Sequence, residues 1–209
     1  MIKNYIFDFG NVLGRFDPKA MTAACISDPE IANTIYPVAY DRLYWDRLDA
    51  GTITDEELHM HFFQRLPREL AQAAWKAYEG WISAMPPIEG MQALVRDIKS
   101  QGSRIFLLSN ISKGFAENYQ SCPWIGELLD QFDGLVFSAV VGLVKPQKKI
   151  FTYLLNTYNL KAEECIFIDD REENTRAGEG VGIRGYVFDG DAEKLRKYLH
   201  IPLSCETAP

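Results

Sequence analysis

Four places in this chain carry side chains that could do chemistry, and each lies at or just beyond the end of a short β-rich run. Asp8 closes Tyr5-Ile6-Phe7 and is followed by Phe9, Gly10 and Asn11. Ser109 and Asn110 close Arg104-Ile105-Phe106-Leu107-Leu108, and Lys145 stands before Pro146 in a stretch that begins at Gly142. Asp169 and Asp170 close Cys165-Ile166-Phe167-Ile168, with Asn174 a little further on. A carboxylate at a strand end can serve as nucleophile and metal ligand together. A hydroxyl and an amide at the start of a helix can hold a phosphate against its positive N-terminus. Two adjacent carboxylates at a buried strand end repel each other unless a cation or hydrogen bonds compensate, and a hard ion such as magnesium is the natural partner. Each signal alone has a plainer reading: a helix cap for Asp8 or Ser109, a solvated surface residue for Lys145. Their recurrence at successive strand ends is what points to a site, because an open α/β sheet gathers its ligands there.

The elements that must position these residues follow from the pattern around them. Tyr5 to Phe9, Arg104 to Ser109, Leu135 to Ala139, Cys165 to Asp169 and Gly185 to Phe188 read as strands alternating with longer helical patterns. That alternation predicts an α/β fold, a parallel sheet with helices on both faces. The interval between the first two strands is too long for one crossover helix. Residues 15–85 carry helical signals and many aromatics, Tyr44, Trp45, Trp75 and Trp81 among them, and Pro86-Pro87 closes the stretch. The expected organisation is therefore a core of residues 1–14 and 86–209, with residues 15–85 inserted as an all-helical cap and residues 88–100 forming the helix that returns to the sheet.

Composition sets the outer limits. The chain has 209 residues, enough to bury a sizeable core without disulfides or metals. Its net charge of -7 disfavours a nucleic-acid partner, although local lysines, backbone N–H groups and a metal ion can still reverse the field around a bound phosphate. The N-terminal apolar run is too short for a secretory signal and no stretch reaches membrane-spanning length, so a cytoplasmic location and no membrane partner are expected. Cys25, Cys122, Cys165 and Cys205 are widely spaced, which suggests reduced thiols and neither a zinc nor a redox motif.

In chain order, a strand-end Asp8, Ser109, Lys145 and the Asp169-Asp170 pair resemble the haloacid dehalogenase superfamily over essentially the whole chain. The resemblance implies a Rossmann-like core with a helical cap inserted after the first strand. It also implies a magnesium-dependent phosphatase in which Asp8 attacks phosphorus, Ser109 binds the transferring phosphoryl group and Lys145 neutralises charge, with Asn110 beside them. Asp8, the backbone carbonyl of Gly10, and Asp170 supported by Asp169 would hold the metal. The substrate so implied is a small phosphorylated metabolite, with no indication of oligomeric state. The form Asp8-Phe9-Gly10-Asn11-Val12 is similar to a narrower group that includes bacterial α-glucose-1-phosphate phosphatases and the N-terminal phosphatase domain of soluble epoxide hydrolases, which points to sugar phosphates such as glucose 1-phosphate. The cap stretch from Tyr44 to Thr54 also resembles that of this group.

One departure matters. Superfamily phosphatases commonly carry a second Asp two residues after the nucleophile as general acid and base, and this chain has Gly10 there, as members of the glucose-1-phosphate type do. Losing general acid–base catalysis typically costs about 10²- to 10⁴-fold. Asp17 is a candidate substitute, set against a capping role before the helix that Pro18 opens. Two alternatives stand beside the phosphatase: a phosphate-binding or regulatory relative that has lost turnover, and a 2-haloacid dehalogenase, whose chemistry would have no use for the Asp169-Asp170 pair. Trp45 and Arg47 read as cap-core and solvated residues rather than sugar contacts. His59 and His61 are spaced to face different ways on a helix. The glycines at 178, 180 and 182 end a helix rather than form a dinucleotide fingerprint, and the tail from Leu203 to Pro209 is expected to be disordered.

Overall fold

The structure, a computed structural model, describes residues 1–203. Five parallel strands form one sheet: β1 (Asn4–Phe7), β2 (Arg104–Ser109), β3 (Gly134–Phe137), β4 (Cys165–Asp169) and β5 (Arg184–Val187), in the order β3-β2-β1-β4-β5. Strands of such a sheet are covered on both faces, which explains why β1, β2 and β4 read as near-continuous apolar runs. Their side chains alternate between two cores: Tyr5 and Phe7 point into one, and Ile6 points into the other with Phe106, Leu108, Phe151 and Phe167. The chain builds outward from β1 to β3, then returns to β1's other side with β4. The strand order thus reverses between β1 and β4, where sheets of this kind leave a crevice for ligands.

Six helices lie between β1 and β2, and the first five form the insertion: α1 (Pro18–Cys25), α2 (Pro29–Ala39), α3 (Arg42–Asp49), α4 (Asp55–Arg65) and α5 (Arg68–Ala84). Four of them begin on a side chain that accepts from the first-turn backbone: Asp17, Asp28, Asp41, and Thr54 in a reciprocal capping box with Glu57. Asp17 is thereby engaged as the α1 cap and does not line the cavity described below. Helix α5 packs against α1, α2 and α4. Trp45 and Trp81 close around Phe16 with ring centroids 5.6 and 6.2 Å away, so Trp45 belongs to the cap core, while Arg47 is exposed. The incoming and outgoing connections run side by side: Arg15 N donates to the Pro86 carbonyl at 2.8 Å and Ile88 N to that of Leu13 at 2.9 Å.

Helix α6 (Met91–Ser100) returns the chain to β2. The remaining helices are α7 (Lys113–Asn118), α8 (Pro123–Leu129), α9 (Ser138–Val141), α10 (Lys148–Thr157), α11 (Glu172–Glu179) and α12 (Ala192–Leu199). Several bounds differ from the sequence reading: β1 runs Asn4–Phe7 rather than Tyr5 to Phe9, β5 runs Arg184–Val187 rather than Gly185 to Phe188, and the helix returning to β2 begins at Met91 rather than residue 88. The third strand ends at Phe137, because Ser138 to Val141 turn into α9, closed by Gly142 at φ 67°. Helix α7 starts at Lys113, not directly after Ser109, because Ser112 takes the capping position and accepts from Phe115 N at 3.2 Å. Cys25, Cys122 and Cys165 are free thiols; Cys205 and most of the tail, residues 204–209, lie outside the described residues. Among the described residues no helix is long and apolar enough to cross a membrane.

Candidate active site

Register brings the first carboxylates together. Phe7 pairs with Ile168 across β1 and β4, so the next residues on each strand, Asp8 and Asp169, lie side by side, and Asp8 N extends the ladder to the Ile168 carbonyl at 2.9 Å. Ser109 ends β2 on β1's other side, and Lys145 reaches in from the segment after α9. The Lys145 ammonium bridges Asp8 Oδ1 and Asp169 Oδ2 at 2.7 Å each, with only 4 % of the residue exposed.

Each member of this cluster is held from behind. Asn110 brackets the Lys145 backbone: its Oδ1 accepts from Lys145 N at 2.8 Å and its Nδ2 donates to the Lys145 carbonyl at 2.9 Å. The Lys145–Pro146 peptide is cis. Asn174 Nδ2 donates to both Asp169 oxygens, at 2.9 and 3.1 Å, and Arg171 N donates to Asp169 Oδ1 at 2.8 Å. Asp169 is fully buried with both oxygens engaged. Asn11, in the left-handed region at φ 56°, donates to Asp170 Oδ2 at 3.2 Å while its Oδ1 accepts from Phe16 N at 3.0 Å. From sequence Asn11 has no role and Asn174 only a position; an Asn within a few residues of a strand-end Asp is the signal that points to both.

Three carboxylates meet one ammonium here. Oxygens of Asp8, Asp169 and Asp170 all lie within 4.8 Å of one another. Burial pushes the Asp8 carboxyl up to about 7; Lys145 pulls against this, and Asp169 adds to it. Burial and then Asp169 likewise raise Asp170. Burial works against the Lys145 charge, but Asp8 and Asp169 more than offset it, and its pKa lies above the ordinary lysine value. The uncompensated negative charge and the all-oxygen donor set fit a hard divalent cation.

Above the cluster opens a cavity of about 640 Å³ between sheet and cap. Asp8, Gly10, Ser109, Asn110, Lys145 and Asp170 line its floor, while Trp45, Asp49 and Trp81 come from the cap. Gly10 leaves open space: an added Cβ would meet only Phe16 Cβ, at 3.9 Å. His59 and His61 are elsewhere, packed at a tilt against Trp75 and Tyr44 with centroids 4.5 and 4.0 Å apart.

A reversal-point crevice floored by a strand-end carboxylate, a lysine and an acidic pair is the site of a hydrolase built on a Rossmann-type parallel sheet. The chain belongs to the haloacid dehalogenase-like hydrolases, whose family model matches residues 2–182. It is 28% identical to a sesquiterpene phosphatase of Aspergillus oryzae over 185 residues, 88% of each chain. It is 25% identical to the D-ribitol-5-phosphate phosphatase of Bacteroides thetaiotaomicron over 199 residues, 92% of this chain and 95% of that one. The fold is shared with a haloacid dehalogenase family enzyme from B. thetaiotaomicron, solved in complex with magnesium and inorganic phosphate, at a TM-score of 0.67 and 20% identity, covering 93% of this chain and 99% of that one.

Proposed function

We propose that this protein is a magnesium-dependent phosphatase of small phosphate monoesters, working through an aspartyl-phosphate on Asp8. The observation that carries this reading is the Lys145 bridge from Asp8 to Asp169, beside Asp170, at the floor of an open cavity. Phosphoryl transfer needs chiefly alignment and charge neutralisation, and these residues offer both. Asp8 attacks phosphorus. Lys145 holds that carboxylate in line and neutralises the transferring group, Ser109 donates its hydroxyl to a phosphoryl oxygen, and Asn110 keeps Lys145 in position. Asp8, Asp170 and the Gly10 carbonyl would hold magnesium, which when bound supplies further neutralisation of the phosphoryl oxygens. The phosphatase names of two relatives that span nearly the whole chain support the reaction class. Their printed substrates, a sesquiterpene and a ribitol phosphate, differ, so the ester is open within the size range of small-molecule sites, about 300–1,000 Å³.

The test is phosphate release from a panel containing glucose 1-phosphate, ribitol 5-phosphate, a prenyl phosphate and p-nitrophenyl phosphate, with magnesium or with chelator. Release that requires magnesium is expected, and the panel then ranks the esters. Halide release from 2-chloropropionate without any phosphate release would instead favour the dehalogenase. Thermal stabilisation by these esters without release would favour a binding protein.

A further inference from the structure

The proposed reaction leaves one role without a residue. A proton must reach the departing alkoxide and another must leave the attacking water, and Gly10 has no side chain to carry either. Five carboxylates line the cavity: Asp8, Asp46, Asp49, Asp170 and Glu173. Asp8 is the nucleophile, and Asp170 accepts from Asn11 within the carboxylate cluster. Asp46 pairs with Arg42 at 2.9 Å, and Glu173 pairs with Arg171. Asp49 differs from these: its Oδ1 is buried and has no hydrogen-bond partner among the described residues.

Its position is fixed by the core as well as by the cap. Asp49 ends α3, and its backbone carbonyl accepts from Ser138 Oγ, whose own residue is fully buried at the start of α9. The same Ser138 oxygen accepts from Ile111 N at 2.8 Å, two residues past Ser109. Two positions on, Gly51 stands at φ 67° with the Ala139 carbonyl where a side chain would be: an added Cβ would lie 2.5 Å from that oxygen. Only glycine lets the cap come this close. The contact holds the last residue of α3 at the wall of the cavity that Asp8 also lines.

We infer that Asp49 is the proton-transfer residue of this site, supplied by the cap in place of a side chain at position 10. The inference rests on the phosphatase reading. As Asp8 Oδ bonds to phosphorus and the ester P–O bond breaks, Asp49 gives its proton to the leaving oxygen and becomes a carboxylate. It then takes a proton from the water whose oxygen attacks phosphorus, Asp8 leaves as carboxylate, inorganic phosphate departs and Asp49 is protonated again. Burial and then Asp46 push Asp49 up to about 7, with Arg42 opposing, Asp8 adding and Lys145 opposing across the cavity. The segment α9, which packs on α3, brings no titratable side chain, while Tyr78 of α5, whose hydroxyl donates to Asp55 at 2.7 Å, also feels the Asp49 charge. A group that titrates near neutrality is suited to both halves of the cycle.

The experiment compares kcat/KM on p-nitrophenyl phosphate and on an alkyl phosphate for wild type, Asp49→Asn and Asp8→Asn. An alkoxide needs protonation as it leaves and p-nitrophenolate does not. Asp49→Asn is expected to lose about 10²- to 10⁴-fold on the alkyl ester and less than about tenfold on p-nitrophenyl phosphate, with the alkaline limb of the alkyl pH profile removed. Equal losses on both esters, or none, would overturn the assignment to Asp49 while an inactive Asp8→Asn kept the phosphatase reading intact. No release by wild type, or full release by Asp8→Asn, would mean that the underlying reading fails. Should Asp49→Asn not fold, the wild type decides alone: kcat/KM nearly independent of leaving-group acidity supports a proton donor, and steep dependence overturns it.

Discussion

At the scale of single residues, the site turns on one buried ammonium shared by two carboxylates. Removing one member of a buried ion cluster typically costs about 3–5 kcal/mol, because the remaining charges lose their compensation. Lys145→Ala should therefore lower stability by about that amount, with magnesium restoring part of it, as read by urea denaturation with and without the ion. Asp49 gives an opposite sign. An unfolded Asp titrates near 3.8 and Asp49 near 7, so between these values the fold holds a proton that the unfolded chain has lost. Stability from this group is full below the lower value and is lost as pH rises through the upper one. Asp49→Asn should melt above wild type beyond about pH 7, and the gain should vanish below about pH 4; a pH-independent difference would refute the shift. Asp8, Ser109, Asp169 and Asp170 were legible because each lies at or just beyond a recognisable strand, and Lys145, which α9 separates from β3, because it stands before Pro146 in chain order with them. Asp49 was not, since its significance depends on a hydrogen bond to Ser138, 89 positions away in sequence.

At the scale of elements, strands and helices divide the work. The sheet sets the floor through register, and the cap sets the roof through α3 and the turn after it. The strand runs were readable from their apolar continuity, although three ends shifted by a residue or two where helices or turns took over, as at Ser138. The helical insertion was readable from its length and its aromatic content. The docking of α3 on α9 was not, because neither periodicity nor capping chemistry says which helix end meets the sheet. Gly51→Ala probes that docking directly: its Cβ would clash with the Ala139 carbonyl at a left-handed φ. Strain of this kind costs on the order of 1–3 kcal/mol. The variant should melt lower by several degrees and lose more activity on alkyl than on aryl esters; wild-type melting and activity would show that the close approach is not required.

At the scale of the whole molecule, cap and core are not separately buried. One continuous hydrophobic cluster runs from Tyr5 and Phe7 in the sheet through Phe9 to Trp45 and Trp81 in the cap, and Trp124 Nε1 in α8 donates to the Met85 carbonyl at 3.1 Å. The chain carries a net charge of -7, and in the cluster below the cavity three carboxylates stand together with one lysine, which pairs with two of them. A cation that binds there only in the fold stabilises it by about 2.7 kcal/mol at a hundredfold excess over its Kd. Magnesium should accordingly raise the Tm of wild type by several degrees, and Asp170→Asn should abolish most of that rise; an equal rise in both would mean that the ion acts elsewhere.

The central claim is that Asp8 carries the phosphoryl group, and the most direct test is magnesium-supported phosphate release from p-nitrophenyl phosphate by wild type beside Asp8→Asn, each shown to be folded by its melting transition. Turnover by wild type and a loss of at least about 10³-fold in the variant are expected. Release by Asp8→Asn within about tenfold of wild type would contradict it, because an amide in that position cannot serve as the nucleophile.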